Sequence, residues 1–198
     1  MTDPAPILTA AEVRAATVRY MDLDAATYPD ADIEALVAEF EEVFTDYRGV
    51  APTPREITEV VTVPSVSSKL VLSWPVVSAV DSITVNAVEL DADLYEFDGP
   101  TGVITYQGAF SSLYPASVVY THGLAAVPAA LSRACARYVA SVLKSEESGT
   151  SRDVLSSNFD GGTTRYSTPD KAAGRPTGWL EVDRLLNSLT NYKVPGVA

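Results

Sequence analysis

The chain has 198 residues, of which 46% are hydrophobic, and its formal net charge is −12. This length is typical of one globular domain that buries enough apolar surface to fold without cross-links. A single cysteine excludes an internal disulfide framework. The first residues lack a secretory signal, and no apolar run approaches the ~20 residues of a membrane helix, so we expect a soluble protein that folds in a cytoplasm.

The charge is unevenly distributed along the chain. Residues 1–125 carry 19 acidic and 5 basic side chains, whereas residues 126–198 carry 7 and 9. Because an acidic body repels phosphate groups, we expect no tight wrapping of nucleic acid. The acidity either serves solubility alone or belongs to a surface that lies near DNA without adhering to it.

Two helices are predicted at the N-terminal end. Thr9-Ala10-Ala11-Glu12 has the pattern of a capping box and predicts a short helix that runs to about Tyr20. A second helix, capped by Asp30, is predicted to end near Gly49, because apolar residues recur at steps of three and four. The residues of this stripe are Ile33, Leu36, Val37, Phe40, Val43, Phe44 and Tyr47.

From Ile57 the pattern changes to short β-branched runs separated by turn residues, which predicts a compact antiparallel sheet region. The predicted strands are 57–63, 69–73, 77–85, 94–97, 102–106 and 117–121. Asn86-Ala87 occupies the place of a two-residue hairpin turn, where Asn-Gly or Asp-Gly is usual, and residues 98–102 are a second turn signal. Pro75 marks a strand start, an edge or a bulge, because proline donates no ladder hydrogen bond.

The C-terminal third is predicted to hold two helices and an arm. A third helix from Pro128 to about Glu147 has the buried face Leu131, Ala134, Cys135, Tyr138, Val142 and Leu143. Residues 148–178 predict a long hairpin or arm, with extended pieces at 152–158 and 163–167. A final helix from Thr177 or Gly178 to about Asn191 presents the apolar residues Trp179, Leu180, Val182, Leu185, Leu186 and Leu189.

The order of these elements predicts an α+β fold, in which a helical core carries an inserted small antiparallel β domain and a C-terminal arm plus helix. The predicted parts are the N-terminal helices at 1–50, the β domain at 51–125, the core helix at 126–147, and the arm with its docking helix at 148–198. All belong to one folding unit.

Few residues point to chemistry. His122, the single histidine, follows a strand and is expected to be structural rather than a catalytic base, and Cys135 is expected to be a small buried residue rather than a nucleophile. The acidic cluster 91–98 does not have the spacing of a calcium loop, and Gly161-Gly162 does not have the context of a phosphate loop. We therefore predict no enzyme activity, no catalytic residues, no cofactor and no metal site.

The C-terminal segment is the best candidate for partner contacts, because basic and aromatic residues share it. The predicted arm contacts are Arg152, Phe159, Arg165 and Tyr166, with Lys171 nearby. The predicted interface with a partner consists of Arg175, Trp179, Leu180, Leu185, Leu186 and Leu189. The alternative is that Phe159 and Tyr166 fill the body's own core, and that the final helix packs within its own chain.

Several segments in this order resemble the head-to-tail connector proteins of siphophages. The segments are 74–85, Tyr95 before its turn, 102–106, 119–123 and 127–131 with Ala134; residues 174–186 are similar to the C-terminal end of such adaptors in phages of actinobacteria. Together they cover roughly residues 10–190. Asn86-Ala87 departs from the expected Asn-Gly or Asp-Gly, which leaves the turn type open.

The resemblance implies a non-enzymatic adaptor that forms a ring, usually of twelve copies, below the portal protein. Its C-terminal part would dock on the portal, and its other face would meet a stopper or tail-terminator protein. Genomic DNA would pass through the ring without specific binding, and no membrane is involved. The expected location is the virion neck, after assembly in the cytoplasm of the bacterial host.

Within the ring that the resemblance implies, a further hypothesis places the acidic side chains of 22–46 near the lumen, where they would keep DNA from adhering. Three alternatives remain open. The chain could be another neck component, such as a stopper or tail terminator. It could instead be an acidic DNA-mimic inhibitor, or a small hydrolase that uses His122.

Overall fold

The computed structural model describes residues 4–148, 154–157, 164–166 and 175–192. Its helices are α1 (Ala10–Thr17), α2 (Asp30–Arg48), α3 (Ala129–Ser148) and α4 (Leu180–Asn187). Its strands are β1 (Arg55–Val61), β2 (Ser67–Val71), β3 (Val77–Val85), β4 (Val88–Glu89), β5 (Tyr95–Asp98), β6 (Val103–Phe110), β7 (Ala116–His122), β8 (Val154–Ser157) and β9 (Thr164–Tyr166). The α+β class predicted from the sequence is confirmed.

The chain folds into two compact units. Gly49–Ala126, with a few terminal residues, forms a β unit, and Pro6–Arg48 with Val127–Asn191 forms a helical unit. The β unit is therefore inserted in sequence between the two halves of the helical unit. No helix of the described residues is long and apolar enough to cross a membrane.

The first helix of the helical unit begins at the predicted capping box. Thr9 Oγ1 accepts a hydrogen bond from the Glu12 amide, and Glu12 Oε2 accepts one from the Thr9 amide at 2.8 Å. The bond from the Thr9 amide, with a second bond from the Thr9 hydroxyl to the same carboxylate oxygen, lowers the pKa of Glu12. The helix ends at Thr17, before the predicted Tyr20, and the Thr17 hydroxyl there donates to the carbonyl of Val13 at 2.9 Å.

The core of the helical unit lies between the apolar faces of its helices. Ile33, Val37, Phe40 and Phe44 of α2 are buried, as the stripe predicted. The predicted face of α3 is also buried, and the rings of Phe40 and Tyr138 lie 5.5 Å apart. One buried polar contact of this unit was not predicted. Glu41 accepts a hydrogen bond from the amide of Ile7 at 2.6 Å.

The β unit contains two antiparallel sheets rather than one. The first has the strand order β1-β7-β3-β4 and the second has the order β2-β6-β5. Both contribute to one core, which includes Ile83, Val118 and Tyr120 from the first sheet and Leu70 and Ile104 from the second. The pattern of short β-branched runs therefore predicted the strands well, but it did not reveal how the strands divide between the two sheets.

The turns of the β unit depend on residues with a positive φ angle. Asn86 and Ala87 have φ angles of 50° and 61°, which is the pattern of a type I′ hairpin turn between β3 and β4. Gly102 has a φ of 68°, and a Cβ atom there would lie 2.7 Å from the carbonyl oxygen of Trp74. Pro75 lies in the bend just before β3, so it marks a strand start.

In the predicted arm, β8 and β9 pair as antiparallel strands. This agrees with the hairpin predicted around residues 152–167. The turn residues Asp160-Gly161-Gly162 lie outside the described residues.

Candidate functional site

The predicted partner interface surrounds α4, which places its six residues in different environments. Arg175 is exposed and Leu180 is 45% exposed, whereas Trp179, Leu185 and Leu189 are half-buried. Leu186 is fully buried, together with Val182, in the helical unit. Packing within the chain therefore accounts for Val182 and Leu186, and the outer residues remain candidates for partner contacts.

A local hydrogen-bond network precedes α4. Asp183 Oδ1 accepts hydrogen bonds from the amide and the hydroxyl of Thr177, at 3.0 and 2.7 Å. The Thr177 hydroxyl in turn accepts from the amide of Trp179 at 3.1 Å. Gly178 has a φ of 79°, so the chain cannot be helical there, and α4 begins later than the predicted Thr177 or Gly178. It ends at Asn187 rather than near Asn191.

The neighbouring helices hold α4 at both of its ends. Near its start, Glu181 forms an ion pair with Arg137 of α3. Near its end, Arg48 of α2 donates to the carbonyl of Leu186, and the hydroxyl of Tyr47 donates to Asn187 Oδ1. Arg48 is itself buried. These polar contacts fix the position of α4 against its neighbours, whereas apolar packing alone would allow the helix to slide.

The predicted arm contacts can be placed only in part. Arg152 and Phe159, with Lys171, lie outside the described residues. Arg165 and Tyr166 belong to β9, of which the backbone is described. Whether these four residues contact a partner or their own unit stays a prediction.

His122 is enclosed in the β unit. Its side chain is 3% exposed, and its ring stacks on Trp74 with centroids 4.9 Å apart. Burial, and secondarily the positive charge of Arg55, lowers the pKa of His122 to about 4. The imidazole is therefore neutral at pH 7 and has no access to a substrate in this conformation, which fits the structural role that we expected.

Cys135 is similarly enclosed in the helical unit. It lies on the buried face of α3, and burial, with the nearby Glu41 carboxylate, raises the pKa of its thiol to about 12. A thiol that is protonated at neutral pH is a poor nucleophile. The prediction of a small buried residue is confirmed.

A polar network in the β unit was not predicted. Glu59 of β1 accepts a hydrogen bond from the hydroxyl of Tyr120 at 2.6 Å, and bonds from the amide and hydroxyl of Ser73. Tyr120 is fully buried, so Glu59 satisfies the one polar atom that this ring brings into the core. The only sequence signal was a carboxylate at an inward position of a strand.

Acidic side chains form two exposed groups. The residues near the turn after β4 are Asp91, Asp93, Glu96 and Asp98, and no set of three or more potential metal ligands is close enough to hold an ion within the described part of the chain. On α2, the residues Asp32, Glu39, Glu42 and Asp46 are exposed. Spacings of three, four and seven place them in one row along the helix.

Comparison with known proteins gives a family and a fold. A family model described as head completion protein matches residues 7–171. No curated protein matches the chain. A chain from the neck of an empty gene transfer agent particle, computed with C6 symmetry, is 16% identical, with a TM-score of 0.61 over 96% of this chain and 93% of that one. A chain from the virion of the native particle is also 16% identical and has a TM-score of 0.62 over the same shares.

Proposed function

The chain belongs to the head completion protein family, and on that premise we propose that it is a head-to-tail adaptor in the neck of a tailed phage or phage-like particle. In this proposal copies of the chain form a ring, of twelve subunits, that joins the portal to a stopper or tail-terminator protein. The family match over residues 7–171 carries the proposal. It spans the inserted β unit and the helical unit as far as residue 171, before α4 begins.

The resemblance identified from the sequence agrees with this family assignment. Further support comes from the origin of the similar folds, because one belongs to a neck that was computed with C6 symmetry and one to a virion. A ring of six or of twelve copies is compatible with sixfold symmetry. Closed rings arise from a heterologous contact that repeats around an axis.

The acidic row on α2 supports a position beside the DNA channel. Asp32, Glu39, Glu42 and Asp46 are exposed and lie on one side of the helix. Carboxylates on the channel wall would repel the phosphates of passing DNA and keep it from adhering. We propose that this row faces the bore of the ring, and that α4 with the arm meets the portal.

The proposed role is structural rather than catalytic. His122 and Cys135, which were the two candidates for chemistry, are both buried, and their shifted pKa values keep them uncharged at neutral pH. A small hydrolase based on His122 would need a different conformation of the β unit. Membership of the head completion protein family also favours a structural role.

The experiment that tests the adaptor is a mass measurement of the purified chain with and without the portal of the same particle, by light scattering and negative-stain electron microscopy. We expect the portal to capture a ring of this chain. A ring that binds a tail component but ignores the portal would indicate a stopper or tail terminator. A chain that stays monomeric and ignores both partners would refute the proposal.

A further inference from the structure

One buried corner of the β unit holds two polar atoms that need hydrogen bonds. Thr53 precedes β1 and is 5% exposed, and His122 ends β7 and is 3% exposed. Neither Oγ1 of Thr53 nor Nδ1 of His122 has a hydrogen-bond partner among the residues that the structure describes. A buried polar atom without a partner costs free energy, so such atoms in folded proteins are usually met by another group.

The strand pairing brings these two residues close to each other. Arg55 lies opposite His122 in the pairing of β1 with β7, and Thr53 comes two residues before Arg55. Thr53 therefore takes the position of a diagonal neighbour of His122, and such neighbours lie within reach of each other's side chains. The backbone of Thr53 also packs against Gly123, where a Cβ atom would lie only 2.3 Å from the Thr53 carbonyl oxygen. The hydroxyl and the imidazole thus belong to one small polar corner.

Aromatic contacts hold the ring of His122 in this corner. Its centroid lies 4.9 Å from that of Trp74, on which it stacks, and 5.9 Å from that of Tyr120. The hydroxyl of Tyr120 donates to Glu59 at 2.6 Å, so its proton is not available to the imidazole. The aromatic neighbours of the ring therefore fix its position without supplying a bond to Nδ1.

The chemistry of the corner fits a small neutral molecule that both donates and accepts hydrogen bonds. A nitrogen of a neutral imidazole either donates or accepts, and a threonine hydroxyl does both. Besides the larger effect of burial, Arg55 lowers the pKa of His122 and Glu59 raises it, so charges of both signs act on this ring. An ion of either sign would be repelled by one of these charges, whereas water is neutral and can serve both polar atoms.

We propose that one ordered water molecule binds in this corner and bridges Oγ1 of Thr53 to Nδ1 of His122. Buried waters typically make about three hydrogen bonds to polar groups that otherwise lack partners. The bridge ties the segment before β1 to the end of β7, and it completes the hydrogen bonding of the ring that stacks on Trp74. This site is independent of the proposed ring of subunits and of the portal.

A high-resolution crystal structure of the full-length chain tests the site directly. We expect an ordered water within about 2.7–3.2 Å of both atoms. Thr53→Val has nearly the same shape but lacks the hydroxyl, so it should lose this water, whereas Thr53→Ser keeps the hydroxyl and should retain it. Thr58→Val is the matched control, because Thr58 is exposed on β1, and its structure should still contain the water.

NMR gives a second readout in solution, because the chain has one histidine and the signal of its Hε1 proton is unique. We expect a nuclear Overhauser effect between water and this proton in the wild-type chain, Thr53→Ser and Thr58→Val, and its loss in Thr53→Val. A direct bond between Thr53 Oγ1 and His122 Nδ1 would overturn the proposal, as would a dry gap between them or a water that persists in Thr53→Val. A halide ion in place of water, detected by anomalous scattering after a bromide soak, would also overturn it.

Discussion

The buried histidine of the β unit makes the stability of the protein depend on pH in a calculable way. His122 has a pKa near 4 in the folded chain, against an ordinary value of 6.5. Between about pH 4 and pH 6.5, the unfolded chain therefore holds a proton on His122 that the folded chain does not hold. Stability is complete above about pH 6.5 and is lost as the pH falls toward 4.

The magnitude follows from the size of the shift. Each pKa unit corresponds to about 1.4 kcal/mol, so a decrease from 6.5 to about 4 predicts a loss of roughly 3 kcal/mol between pH 7 and pH 4. This is a large fraction of the ~5–15 kcal/mol that keeps a typical domain folded. Carboxylates also titrate in this range, so the contribution of His122 must be isolated by a variant.

The measurement compares urea unfolding of the wild-type chain and of His122→Gln at several pH values between 7 and 4. The variant removes the titrating group, so the difference in unfolding free energy between the two proteins should shrink by roughly 3 kcal/mol as the pH falls. Because the chain has one histidine, NMR can follow the titration of its ring directly. Parallel loss of stability in the two proteins, or a folded-state pKa near 6.5, would refute the reasoning.

Three further substitutions test individual elements. Ala87→Gly should stabilise the β unit by about 0.5–1 kcal/mol in urea unfolding, because glycine adopts a positive φ without strain; a destabilised variant would contradict the turn. Tyr120→Phe should cost about 1–2 kcal/mol in the same assay, because Glu59 loses a donor, whereas an unchanged midpoint would argue against that bond. Thr177→Val should speed amide hydrogen exchange in α4 and leave that of α2 unaffected, because Asp183 loses the hydrogen bond from the Thr177 hydroxyl. The same change in α2 as in α4 would disprove this role of Thr177.

Local periodicity was enough to predict most of the fold. The apolar stripes of α2 and α3, and the capping box at Thr9, depend on residues within a few positions of each other. These features can therefore be predicted from short stretches of sequence. The six predicted strands were also found, because β-branched runs between turn residues are a local signal.

The features that were missed depend on contacts between distant segments. The division of the strands into two sheets depends on pairings such as that of β1 with β7, which the strand pattern does not encode. The bond from Tyr120 to Glu59 joins residues 61 positions apart. Similarly, the late start of α4 reflects the contact of Thr177 with Asp183 and the backbone of Gly178, which override the apolar pattern.

The candidate interface was predicted only in outline. The apolar pattern of the final helix could not separate side chains that pack inside the unit, such as Leu186, from those that remain exposed, such as Leu180.

The most direct test of the proposed adaptor uses DNA-filled heads that lack this chain, to which the purified chain and then tails are added. Electron microscopy counts joined particles and records density at the portal vertex. The account predicts a ring of this chain on the portal and efficient attachment of tails. Heads that remain tailless, with no new density at the portal, would contradict it.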